Sequence, residues 1–208
     1  FIAKCFLSSG DTAIFSQHGF AIYPLAIKAS GAEPIKVEAK NWGHDLDGIV
    51  DSVKDNTKAI FLATPNNPTG TVLSVNELKT FLKKIPSNII VLVDQAYFEY
   101  IEDEQYKVPF ELINEFSNLV ISRSFSKAHG LAAFRLGFSI SSEEIADFLN
   151  RVRQPFNANS LALIAGVEAL NDKKHISESV DINKKGLALT EEFLEKLGFD
   201  FIKSYGHF

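Results

Sequence analysis

The stretch SRSFSKAHGLAAFRLGF, residues 122–138, sets Lys127 and Arg135 eight positions apart with no acidic residue between them. Their counter-charge must come from elsewhere in the chain or from a ligand. Two other polar clusters have residue types that could join them: PNNPTG at 65–70, with Asn67, and DQAY at 94–97, with Asp94 and Tyr97. With Ser124 and Ser126 added, the set holds an amine able to form an imine, a carboxylate, a phenol, an amide, hydroxyls and a guanidinium. That inventory suits an aldehyde carrying a phosphate. The amine captures the carbonyl carbon, and arginine and serine take the phosphate through charge-assisted hydrogen bonds.

Taken one at a time, these residues have plainer uses. PNNPTG is good turn chemistry, because Pro fixes φ while Asn and Gly tolerate positive φ. An aspartate after a strand often caps a helix, and a tyrosine is often a buried aromatic with its hydroxyl satisfied locally. Lysine and arginine are surface residues by default, and Gly130 and Gly137 serve turns and packing.

The elements that must carry the set decide between these uses. Apolar, β-branched runs at 12–16, 34–39, 58–64, 88–94, 118–123 and 135–140 alternate with helical patterns near 18–30 and at 44–53, 74–85 and 142–152. A loop and short helix fill the span to about 116, and 159–197 is helical with a break at the polar NDKK of 171–174. Ser74 with Glu77 three positions on reads as a capping box. The final FDFIKSYGHF reads as a strand and turn. Continuous apolar strands separated by helices predict a mainly parallel sheet covered on both faces, a three-layer α/β/α domain. Ligands of such sheets bind beyond the carboxyl ends of the strands. The strands at 58–64, 88–94 and 118–123 end in the three polar clusters, so Asn67, Asp94, Tyr97, Ser124, Ser126, Lys127 and Arg135 are expected around one site. The plain readings would all have to hold at once at three strand ends.

Bulk properties are those of a soluble globular chain: 208 residues, 46% hydrophobic, 23% charged and a net charge of −5. No basic tract suggests a nucleic-acid or anionic-membrane partner, and no apolar run approaches the ~20 residues that span a bilayer. One cysteine, Cys5, cannot form an internal disulfide, and a reducing, cytoplasmic setting is the natural expectation. No metal site is expected. The chain starts at Phe1 and contains no methionine, and the strand-like end stops at Phe208, so it is read as part of a longer protein.

Pyridoxal 5'-phosphate is the phosphate-bearing aldehyde that fits the set. It needs a lysine for its carbonyl and an acidic group that keeps its ring nitrogen protonated, so that the ring serves as an electron sink. The spaced combination NNPTG, D-x-A-Y and S-x-S-K-x-x-G-L-A-x-x-R-x-G resembles the fold-type I, pyridoxal-phosphate-dependent aminotransferases of classes I and II. Likeness runs from FLSSGDTAIFSQHGFAIYPL through NWGHDL to RQPFNANSLA, and is greatest to the histidinol-phosphate aminotransferases.

The resemblance implies that Lys127 is the Schiff-base lysine and general acid/base, and that Asp94 pairs with the pyridinium nitrogen. It places Asn67 and Tyr97 on the ring oxygen, Ser124, Ser126 and Arg135 on the phosphate, and Phe20 stacked on the ring. It implies a large domain over 1–170 lacking its N-terminal part, and over 171–208 a connecting helix and the beginning of a small C-terminal domain. It further implies a homodimer that passes an amino group from histidinol phosphate, or an aromatic amino acid, to 2-oxoglutarate. The first of these donors belongs to histidine biosynthesis. The glycine-rich helix start that grips the phosphate would precede Phe1, and the arginine for the substrate carboxylate would follow Phe208. Gln95 stands where a glutamate is usual, and HGF at 18–20 where a second tyrosine is common. The same large domain also serves threonine-phosphate-type decarboxylases, C–S lyases and non-catalytic cofactor-sensing modules, and these remain alternatives at this point.

Overall fold

The computed structural model describes residues 1–208. Six strands form one sheet in the order β2-β1-β3-β4-β5-β6: β1 Thr12–Ser16, β2 Glu33–Val37, β3 Thr57–Ala63, β4 Ile90–Asp94, β5 Leu119–Ser124 and β6 Gly137–Ile140. All pairs are parallel except β5–β6, which is antiparallel. The expected mainly parallel sheet is therefore present, with its one reversal at the last strand.

Alternation along each strand sorts the core into two halves. Ile14, Ile60, Leu62, Val91, Val93, Leu119 and Ile121 face one layer, where α3 (Leu46–Asp51) and α4 (Val75–Leu82) add Ile49, Leu78, Phe81 and Leu82. Ala13, Phe15, Ala59, Phe61, Ile90, Leu92 and Val120 face the other, against Ile2 and Ala3 of α1 (Ile2–Phe6), Tyr23 and Ile27 of α2 (Ile22–Ala29) and Ile145 of α5 (Glu143–Val152). Burial on both faces explains why these strands read as unbroken apolar runs rather than alternating ones. Each fully buried Leu or Ile contributes roughly 2 kcal/mol by removal from water.

Local signals place the helices. Ser74 caps α4 reciprocally with Glu77, the capping box read in the sequence, and Asp45 caps α3 through the Gly48 amide. The break near 171–174 falls at Asp172, which ends α6 (Ser160–Asn171) and caps α7 (Lys173–Lys196) through the His175 amide. Between β4 and β5 the chain makes only short 3-10 turns, at Phe98–Tyr100, Glu104–Tyr106 and Phe110–Asn114. No helix is long and apolar enough to cross a membrane.

The expected strand near the end does not form. Residues 199–208 are irregular, and a strand there would need a neighbouring edge to pair with. Instead the Tyr205 amide donates to the Gly70 carbonyl at 2.9 Å, and Asn183 of α7 donates to the Gly206 carbonyl at 2.9 Å. The segment thereby crosses from α7 to the loop after β3.

Candidate functional site

β1 is followed by β2 on one side, and the chain then returns through α3 to place β3 on the other. Such a reversal of strand order opens a crevice at the carboxyl ends. A cavity of about 280 Å³ lies at these ends and is lined by Phe20, Tyr23, Ala63, Pro65, Asn67, Asp94, Ala96, Tyr97, Ser124, Ser126, Lys127 and Arg135. Every candidate residue from the sequence is on that wall. A cleft of about 670 Å³ beside α3 and α4 holds none of them, and a groove of about 730 Å³ shares only Arg135.

Asp94 lines the cavity from the end of β4, in register with Ala63 on β3 and Ser122 on β5. Its carboxylate accepts three hydrogen bonds: from Tyr23 Oη at 3.0 Å, from Ser122 Oγ at 3.2 Å and from the Ala96 amide at 3.2 Å. Burial nevertheless raises its pKa above the ordinary 3.8, with the three donors opposing the shift. Tyr23 is buried against Asp94, and its phenol is pushed well above the ordinary value of 10, so it remains a donor.

On the next strand end, Asn67 Nδ2 donates to Tyr97 Oη at 2.8 Å, which joins the two groups the sequence pairs on one oxygen. Tyr97 is buried, its ring edge-on to His207 and Phe208 of the terminal segment, each with centroids 4.9 Å away. The Lys127 Nζ stands 5.2 Å from the centre of the Tyr97 ring. Phe20 is 40% exposed and meets Tyr23 edge-on at 6.0 Å.

The end of β5 carries Ser124, and the single loop that follows carries Ser126, Lys127 and Arg135. It is closed by the Phe125 amide on the Leu136 carbonyl at 3.1 Å and the Leu131 amide on the Phe125 carbonyl at 2.9 Å. Ser124 Oγ accepts from the Ser126 amide at 3.0 Å, and Arg135 Nη1 donates to Ser126 Oγ at 3.3 Å and to the Ala132 carbonyl at 2.8 Å. Arg135 holds a left-handed backbone at φ +54°, uncommon for a residue with a side chain. Neither Lys127 nor Arg135 belongs to any of the salt bridges in the protein. The cavity thus presents two cations without carboxylate partners and one buried carboxylate without a cationic one.

Three contributors were not singled out from the sequence. Tyr23 lies in FAIYPL, where an apolar helix face masks its role. His44 donates from Nε2 to the Ala63 carbonyl at 2.8 Å, while the Ser16 hydroxyl bonds its Nδ1 at 2.5 Å. The Ala63 amide also points at Nε2, at the longer 3.3 Å. The shorter bond to a carbonyl, which only accepts, favours the proton on Nε2, and burial lowers the imidazole below its ordinary 6.5. His44 therefore pins the ends of β1 and β3 together from outside the cavity, on the wall of the cleft beside α3 and α4. The third is the pair His207 and Phe208 on Tyr97.

Comparison with known proteins places this geometry. The profile of the family described as aminotransferase class I and II matches residues 1–208. Histidinol-phosphate aminotransferase 1 of Idiomarina loihiensis is 51% identical over 207 residues, which is 100% of this chain and 56% of that protein. Histidinol-phosphate aminotransferase 2 of Haemophilus influenzae is 47% identical over 206 residues, 99% of this chain and 56% of that protein. The chain therefore spans little more than half the length of these relatives. Among solved structures, histidinol-phosphate aminotransferase from Sinorhizobium meliloti, in complex with pyridoxal-5'-phosphate, superposes with a TM-score of 0.93 at 23% identity. That superposition covers 99% of this chain and 56% of the other. An aspartate aminotransferase variant of Thermus thermophilus gives 0.89 at 20% identity, over 99% of this chain and 59% of the other. At such identities the likeness speaks to the fold.

Proposed function

The chain belongs to the class I and II aminotransferases, and from that premise we propose that it carries most of the cofactor site of a pyridoxal-phosphate-dependent transaminase. The proposed amino donor is histidinol phosphate and the acceptor 2-oxoglutarate, a step of histidine biosynthesis. The donor is supported by relatives of that name at 51% and 47% identity.

One observation carries the reading: Lys127 and Arg135 line the cavity without anionic partners, and Asp94 lines it without a cationic one. A ligand with a phosphate for Arg135, a protonated ring nitrogen for Asp94 and an aldehyde to condense with the Lys127 amine answers all three groups, so the donor set fits pyridoxal phosphate. Arg135, Ser124 and Ser126 would hold the phosphate, and Asp94 the ring nitrogen. Asn67 and Tyr97 would hold the ring oxygen, Phe20 the ring face, and Lys127 the aldehyde carbon. When bound, the cofactor supplies a sink for the electron pair left as the donor's Cα–H bond breaks.

The chain's own residues do the rest. Once the donor's amine has replaced it at the aldehyde carbon, the freed Lys127 Nζ, on the Tyr97 side of the cavity, would take the proton from the donor's Cα and deliver it again, as a general base and then a general acid. Asp94, fixed by three donors, would keep the proton on the ring nitrogen. Asn67 and Tyr97, already bonded to each other, would hold the ring oxygen from one side. His207 and Phe208 pack on Tyr97 and cover it from water.

In this reading residues 1–170 form the large domain without its N-terminal part. Residues 171–208 form the connecting helix and the beginning of a small domain that closes over substrate. The whole protein is proposed to act as a cytoplasmic homodimer. The test uses the full-length protein, supplied with pyridoxal phosphate, histidinol phosphate and 2-oxoglutarate. Glutamate should form, and Lys127→Ala should lose both glutamate production and the visible absorbance of bound cofactor. An unchanged spectrum in that variant would refute the role of Lys127. Failure to form glutamate from this donor, with CO₂ released from a phosphorylated amino acid or pyruvate from a thioether amino acid supplied instead, would transfer the chain to a decarboxylase or lyase.

A further inference from the structure

The two turns that carry Tyr97 and Lys127 are tied together on the side away from the cavity. Arg123 Nε donates to Gln95 Oε1 at 3.1 Å, and its guanidinium lies 3.2 Å over the centre of the Phe98 ring. Further along the same turns, His129 Nε2 stands 3.6 Å from Glu99 Oε1, with only 10% and 13% of the two side chains exposed. Residues 94, 96 and 97 line the cavity while 95 and 99 do not, and 124, 126 and 127 line it while 123 and 129 do not.

This cluster is costly as structure alone. Burial raises the Glu99 carboxyl above its ordinary value and holds Arg123 down at about 10. Gln95 Nε2, Glu99 Oε2 and His129 Nδ1 are buried with no hydrogen-bond partner. Apolar side chains of similar volume would join two turns at equal or greater stability. What a polar pair adds is a defined direction and separation, and here it acts two residues from both Lys127 and Tyr97.

We propose that the buried Glu99–His129 pair is a positioning device that sets the Lys127 turn against the Tyr97 turn, and so fixes where the Lys127 amine stands during proton transfer. The proposal rests on the reading of Lys127 given above. Neither residue touches the cavity, so both act through their neighbours.

The test uses the full-length protein loaded with pyridoxal phosphate, with Glu99→Gln, His129→Asn and the double variant. Glu99→Gln keeps the shape and removes the acidic group, and His129→Asn opens the pair from the other side should the first variant fail to fold. A misplaced amine should lower kcat about tenfold or more with KM for 2-oxoglutarate little changed. The pH midpoint of the bound cofactor's visible band should move by about 0.5 unit or more, because that midpoint reports the surroundings of the Lys127 nitrogen. The double variant should be no worse than the worse single one, as expected for partners in one interaction. If the midpoint and kcat stay at parental values, the pair is structural and the proposal is overturned, whatever happens to the melting temperature of the cofactor-free protein. If the parent protein itself shows no visible band with pyridoxal phosphate, the proposed function fails and this inference falls with it.

Discussion

Tyr23 donates its hydroxyl hydrogen to Asp94 across 3.0 Å, from the first turn of α2 to the end of β4. The contact joins positions 71 apart and turns a buried aromatic into part of the site. Tyr23→Phe keeps the ring packing on Phe61, with centroids 5.4 Å apart, and removes only the hydroxyl. The cofactor-free protein should lose about 1–3 kcal/mol, the worth of a hydrogen bond to a charged group. Thermal unfolding measures this, and equilibrium dialysis should show weaker cofactor binding. Parental values in both would show that the carboxylate does not depend on Tyr23.

Asp94 should leave a signature in the pH dependence of stability without cofactor. Its folded pKa is raised above 3.8 by burial. The folded state therefore keeps a proton that the unfolded chain releases at lower pH. That contribution is fully present below the unfolded value and is lost as pH rises through the folded one. Asp94→Asn has no such proton, so it should gain stability relative to the parent as pH rises above the ordinary 3.8 and through the raised folded value. Chemical denaturation across that range tests it, and identical slopes in the two proteins would count against the raised value. The same substitution should weaken retention of pyridoxal phosphate.

His44 predicts the opposite slope. Burial lowers its folded pKa below 6.5, so the stability tied to its neutral form is present above that value and lost as pH falls through the folded one. His44→Leu should remove this acid sensitivity. It should also cost about 2 kcal/mol near neutral pH, because the Ser16 hydroxyl and the Ala63 carbonyl lose their partner. A variant as stable as the parent would mean that another group, or water, satisfies both.

Arg135 separates stability from binding. Its left-handed φ of +54° suits glycine. Arg135→Gly should relieve about 1 kcal/mol of backbone strain and lose bonds of similar worth to Ser126 and Ala132, leaving the cofactor-free melting temperature near the parent's. Affinity for pyridoxal phosphate should fall, while affinity for pyridoxal, which has no phosphate, should hold. Equal losses for the two ligands would take Arg135 off the phosphate.

Much of this architecture was legible because the physics is local. Unbroken β-branched runs such as NIIVLVD signal a strand buried on two faces, and the polar residues at its end must then project beyond the sheet. Asp94, Lys127 and Asn67 could be grouped on that ground alone. Tyr23 and His44 could not. Periodicity says that Tyr23 points inward, but what its hydroxyl meets depends on α2 lying beneath the end of β4. His44 bridges β1 and β3, which become neighbours only because β2 is laid on the outer side. The end of the chain misled for a related reason. FDFIK has the composition of a strand, yet composition does not supply an edge to pair with, and the segment bonds to Gly70 and Asn183 instead.

The antiparallel course of β6 has a consequence for how the chain tolerates change in length. The parallel strands reach the site once and then leave it through a connection on the surface, where added residues displace nothing at the cavity. After β5, which ends in Ser124, the chain comes back at once, so Ser126, Lys127 and Arg135 share one loop between two paired strands. A residue inserted in the turns at 103–106 should be absorbed there. One inserted between Ala128 and Arg135 should shift the guanidinium relative to the amine, with no second strand end able to restore the spacing. Among homologous chains, length variation should crowd into the first region and avoid the second.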